Sequence, residues 1–129
     1  MKIQLVTPAP ANARNGNRLT ALRWARILKR QGHRVIISRR YSGRHCDLLI
    51  ALHAMRSYES IRSYRDRHPT APLIVALTGT DLYRDIRSDS RARRSLDLAT
   101  RLIVLQKKAK DNLPRHLHRK TQVIYQSAS

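Results

Sequence analysis

The chain has 129 residues, 41% of them hydrophobic, and 27 Lys+Arg against 8 Asp+Glu give it a net charge of +19. That length suits one domain with a real core, and no apolar run approaches the ~20 residues of a membrane-spanning helix. The lone cysteine, Cys46, excludes an internal disulfide framework and fits a reducing compartment.

The amino end, MKIQLVTPAP, carries a short apolar run that stops at prolines. It is shorter than the roughly 7–15 residues of a signal-peptide core, so a cytoplasmic location is expected. A helical pattern follows over residues 17–31, with Leu19, Leu22, Ala25, Ile27 and Leu28 on one broad face, Asn17 as N-cap and Gly32 ending the helix. Strands are expected at residues 2–7 (KIQLVT), 33–38, 47–53 (DLLIALH), 73–77, 101–105 (RLIVL) and 121–125. Between them, residues 54–67 read as a helix with Met55, Tyr58, Ile61 and Tyr64 at i, i+3 spacing; residues 89–99 and 107–113 read as two more. Residues 39–46 (RRYSGRHC) are too few for a helix, so a loop should join the second and third strands. Apolar strands alternating with amphipathic helices argue for one doubly wound α/β domain, a mostly parallel six-stranded sheet with helices on both faces.

A chain this basic attracts polyanions, which makes nucleic acid the first partner to weigh. The basic residues, mostly arginines, are nevertheless spread along the whole chain. There is no basic tail, RNP-like aromatic pair, zinc-finger spacing or heptad. The plain interpretation is a set of solvated, arginine-coated helix faces, with phosphate-bearing small substrates or an acidic partner domain as the other candidates.

In open parallel sheets, ligands bind outside the carboxyl ends of the strands. The polar oddities of this sequence fall at those ends. A loop of small residues after the first strand finishes in Gly16-Asn17-Arg18, His53 follows the third strand, and Thr78-Gly79-Thr80-Asp81 follows the fourth. Gln106 and Gln126-Ser127 follow the fifth and sixth. Gly16 permits close backbone approach, the amides of the helix beginning near Asn17 favour an anion, and Arg18 adds a charge-assisted contact. A cap followed by an exposed arginine accounts for the same three residues. His53 is suited to acid, base or hydrogen-bond donor work, or simply to bonding backbone. The Thr-Gly-Thr-Asp cluster is equally a turn with an Asx-type cap.

Other chemistries lack their motifs. Neither GxGxxG nor GxxxxGK[ST] occurs, and no GxSxG follows a strand. His116 and His118 lie in a basic loop without nearby carboxylate or thiolate ligands, so no metal site is expected. Cys46 precedes a strand at the amino edge and reads as structural, and Trp24 fits the buried side of the first helix.

Taken together, VTPAP, GNRLTALRWARIL, DLLIALHA, PLIVALTGTDLYRDI, LIVLQ and VIYQSA resemble the N-terminal half of a GT-B glycosyltransferase. More narrowly, they resemble the group that includes the selenosugar synthase of selenoneine biosynthesis. The resemblance spans residues 1–129. It implies a Rossmann-like acceptor-side domain that faces a C-terminal, donor-binding domain outside this sequence. It further implies transfer of a sugar from a UDP-sugar, such as UDP-N-acetylglucosamine, to a small anionic acceptor such as selenophosphate, with no metal or flavin cofactor. Matched by motif, Gly16, Asn17 and Arg18 face donor phosphates and acceptor, His53 is the residue after the third strand, and Thr78, Gly79, Thr80 and Asp81 form the acceptor-side loop. No catalytic residue is assigned. The chain alone is expected to transfer sugar negligibly. A basic nucleic-acid-binding module and a non-catalytic half that pairs with a separate donor-binding domain are the alternatives.

Overall fold

The computed structural model describes residues 1–8, 16–78 and 86–125. Among them β1 (Lys2–Val6), β2 (Arg34–Ser38), β3 (Leu48–Leu52), β4 (Leu73–Leu77), β5 (Arg101–Val104) and β6 (Thr121–Val123) form one sheet. Every pairing is parallel and the order is β2-β1-β3-β4-β5-β6. The helices are α1 (Gly16–Arg30), α2 (Tyr58–Arg67), α3 (Ile86–Ser88), α4 (Ser90–Leu98) and α5 (Lys107–Asp111), with a 3-10 helix at Arg115–Lys120. The chain is thus a Rossmann-like parallel α/β domain, as the alternation of apolar strands and amphipathic helices leads one to expect. No helix of the described residues is long and apolar enough to cross a membrane.

Successive residues of a strand point to opposite faces, and the strands divide their apolar side chains accordingly. Ile3, Leu5, Val35, Ile50, Leu52 and Ala76 meet Ala21 and Ala25 of α1 on one face. Val6, Leu49, Ala51, Leu73, Val75, Leu77, Leu102 and Val104 meet Ile61 and Tyr64 of α2, Ala92 and Leu96 of α4, and Ala109 of α5 on the other. Leu5, Leu49, Leu52 and Leu73 have no solvent exposure; each contributes about 1.5–3 kcal/mol by burial.

Several expected boundaries and faces differ. Helix α1 buries Ala21 and Ala25, with Trp24 and Leu28 beside them, while Leu19, Leu22 and Ile27 are more than 40% exposed. Small alanines let the helix lie close on the sheet, so the larger aliphatic residues turn outward. Asn17 sits inside the first turn of α1 rather than capping it. Gly32 ends the helix as expected, at φ 94°, with His33 N donating to Leu28 O and Gly32 N to Lys29 O at 3.1 Å each, the Schellman arrangement. Helix α2 begins four residues later than expected, because residues 54–57 form a turn held by Ser57 Oγ donating to Leu52 O at 2.5 Å. The expected loop around His116 and His118 is the 3-10 helix, which buries Leu117.

The β2–β3 connection carries no helix, as its length requires. In place of a helix, residues 39–46 fold over the sheet beside Gln4. The Gln4 amide, buried among the apolar residues of β1, donates to Ser38 Oγ (2.8 Å), Arg40 O (3.4 Å) and Ser42 Oγ (3.3 Å). A polar residue in a core strand is thus satisfied by the loop that replaces a helix.

Candidate functional site

The chain leaves β1 for β2 on one side and then crosses to β3 on the other, so the strand order reverses at β1. In such sheets the crevice outside the carboxyl ends at the reversal is the favoured ligand position. Parallel pairing puts Thr7, His53 and Thr78, which directly follow β1 and β3 and β4, along one edge of three adjacent strands. Gly16, Asn17 and Arg18 open α1 at this same edge, since a crossover helix starts where its strand ends. Gly79, Thr80 and Asp81 lie outside the described residues.

His53 is the most constrained residue of this edge. It is 3% exposed and has φ 78°, a left-handed conformation uncommon outside glycine. Its amide donates to Ala76 O at 3.0 Å, tying the end of β3 to β4, and its carbonyl accepts from Ser57 N at 3.0 Å. Ring Nδ1 accepts from the Arg56 amide at 3.1 Å. A nitrogen that accepts carries no proton, so the neutral ring is the Nε2–H tautomer. The backbone-bonding interpretation of His53 therefore holds for ring Nδ1.

Thr7 was not singled out by its sequence. It is fully buried, its amide donates to Ser38 O at 2.9 Å, and its Oγ1 has no hydrogen-bond partner among the described residues. An orphaned buried hydroxyl costs about 1–3 kcal/mol, and this one stands at the carboxyl end of the strand where the order reverses. Sequence pattern also missed a cleft of about 310 Å³ at this edge, lined by Pro8, Arg39, Arg40 and Arg56. The only sequence trace of it is the Arg-Arg pair directly after β2.

A larger hollow, about 540 Å³, runs along β1 and β2 and is lined by Lys2, Gln4, Arg34, Ile36, Arg44 and Cys46, among others. It occupies the space that a β2–β3 crossover helix would fill, and it extends to the amino ends of the strands, so its size reflects topology. Cys46 in its wall is 7% exposed, and burial pushes its thiol pKa up, which disfavours the nucleophilic thiolate.

Arginine also serves structure here. The Arg65 guanidinium donates to Leu98 O, His68 O, Pro69 O, Ala71 O and Thr100 Oγ1 at 2.8–3.1 Å, pinning the end of α2 to the end of α4. Among the described residues no three His, Cys, Asp or Glu side chains come together to hold a metal ion. His118 places its ring Nε2 2.9 Å from Leu113 O.

No family model matches the chain, and no curated protein matches it. Fold and site together define a class: a Rossmann-like parallel α/β domain with a polar carboxyl edge flanked by arginines.

Proposed function

We propose that the chain is the acceptor-side domain of a GT-B glycosyltransferase that moves a sugar from a UDP-sugar to a small anionic acceptor, with selenophosphate as the acceptor its motifs favour. One observation carries this reading. The segments behind the resemblance contribute Gly16-Asn17-Arg18, His53 and Thr78, and these residues share the carboxyl edge of the sheet at its order reversal.

The chemistry suits that edge. A selenophosphate nucleophile arrives anionic, so the bond from selenium to the anomeric carbon forms without a strong general base. The bond to UDP breaks with its electron pair on the diphosphate. What remains for the protein is positioning and charge stabilisation. The amides opening α1 and the Arg18 guanidinium supply positive potential. His53, fixed by its own backbone turn, anchors the edge on which the ligand rests. The donor nucleotide is gripped by a second Rossmann-like domain, in the same polypeptide or in a separate one.

The test is UDP release from UDP-N-acetylglucosamine and selenophosphate, by the chain alone and by the chain fused to a donor-binding domain of this group. Selenophosphate-dependent release by the fusion, with negligible release by the chain, is expected. No release by the fusion, or ordinary enzyme rates from the chain alone, would overturn the reading. A nucleic-acid-binding module is the second reading, favoured by the net charge of +19. It requires binding that persists at about 150 mM salt with a steep salt slope.

A further inference from the structure

We infer that Arg39, Arg40 and Arg56 form a binding site for a free phosphate-class oxyanion at the carboxyl edge of β2, β1 and β3. The inference rests on the transferase reading only for its link to the acceptor; the site itself rests on geometry and charge.

Three separate segments build it. Arg39 and Arg40 directly follow β2, Pro8 lies two residues beyond β1, and Arg56 lies four beyond β3. Because β1 lies between β2 and β3, these segments converge on one cleft. Their backbones are fixed from beneath. Thr7 N bonds Ser38 O, Gln4 Nε2 bonds Arg40 O, Tyr41 N bonds Ser60 Oγ at 2.9 Å, and Arg56 N bonds His53 Nδ1. Long arginine side chains on pinned backbone lose less freedom on binding than those on a loose loop.

The charges are unbalanced in a telling way. Arg62 pairs with Glu59 and Asp66, and Arg91 pairs with Asp89. Arg39, Arg40 and Arg56 form no ion pair among the described residues. Three guanidinium groups around one cleft repel each other, and a tetrahedral dianion offsets that repulsion through charge-assisted, bidentate hydrogen bonds. At about 310 Å³, the cleft is far larger than the roughly 10–15 Å³ that one water needs on the same measure, which admits such an ion with its hydration.

Inorganic phosphate titrated into the intact chain at constant ionic strength, followed by amide NMR shifts and calorimetry, tests the site. One saturable event is expected, with shifts concentrated at Thr7, Arg39, Arg40 and Arg56. Arg40→Gln and Arg56→Gln should weaken it by about tenfold or more at unchanged melting temperature, and Arg94→Gln and Arg119→Gln should leave it intact. Equal weakening by all four variants, shifts spread over every basic surface, or tighter binding of UDP than of phosphate would overturn the assignment. Phosphate bound here without UDP release by the fusion would sink the transferase reading alone. Transfer undiminished in Arg40→Gln and Arg56→Gln would sink the link between this site and the acceptor alone.

Discussion

The Arg56 amide donates to His53 Nδ1 at 3.1 Å and so closes a turn around a histidine whose φ is 78°. That bond, the His53 amide to Ala76 O and the His53 carbonyl from Ser57 N together hold a conformation that the residue would not choose by itself. Strain of this kind persists where surrounding structure over-determines it, and it concentrates at functional edges. The conformation is measurable. His53→Ala and His53→Gly lose the ring equally, but only alanine retains the left-handed penalty. Glycine is expected to be the more stable variant by about 0.5–1 kcal/mol in urea melts, after its larger unfolded-state entropy is allowed for. Alanine equal to or better than glycine would mean the turn is not strained.

Thr7→Val separates stability from binding. Valine keeps the branched shape and removes a buried hydroxyl that has no partner among the described residues. The variant should unfold at the same or a higher urea concentration, by up to about 1 kcal/mol, because an unsatisfied group is lost. Phosphate affinity should be unchanged, since the buried Thr7 does not line the arginine cleft. A clear loss of stability would show that Oγ1 is already satisfied in the free protein.

Arg65 and Arg62 provide a matched pair on one helix. Arg65 bonds carbonyls of two segments, residues 68–71 and Leu98, with a planar fork, whereas Arg62 makes exposed i, i+3 and i, i+4 pairs. Arg65→Ala should cost about 2–3 kcal/mol by orphaning several carbonyls, and Arg65→Lys should recover little of it, since an ammonium lacks the fork geometry. Arg62→Ala should be nearly silent in the same chemical melts.

Acid sensitivity follows from two carboxyls held below the usual range. The Lys2 amide, 2.8 Å from Asp47, is the main cause at one, and the Arg91 side chain and amide bond Asp89 at the start of α4. A carboxyl whose pKa is lower folded than unfolded stabilises fully above its unfolded pKa of about 4. That contribution disappears as the pH falls through the lower folded value. In Asp47→Asn/Asp89→Asn the drop in melting temperature between about pH 5 and pH 2 should therefore shrink. An unchanged acid limb would show that other groups control it.

Strand periodicity made most of the sheet legible before any coordinates. β4 falls on residues 73–77 with no adjustment, and the missing β2–β3 helix follows from the eight residues available. Helix α1 was harder, because Leu19, Leu22 and Ile27 mimic a buried stripe while Ala21 and Ala25 make the contact. Alanine packing depends on interhelix and helix–sheet distance, which composition does not reveal. The carboxyl-edge position of Arg18, His53 and Thr78 was readable from strand ends. The arginine cleft was not, since Arg39, Arg40 and Arg56 converge only through strand order, and in a chain with 27 Lys+Arg no single arginine stands out.

On the proposed reading, this domain holds the anionic acceptor and leaves the nucleotide sugar to another domain. Calorimetric titration of the chain with selenophosphate and, separately, UDP-N-acetylglucosamine at about 150 mM salt tests it most directly. Selenophosphate should bind at least about tenfold more tightly, with affinity reduced in Arg40→Gln and in Arg56→Gln. Tighter binding of the UDP-sugar, or no response to selenophosphate from a chain that retains duplex DNA at the same salt, would contradict the claim.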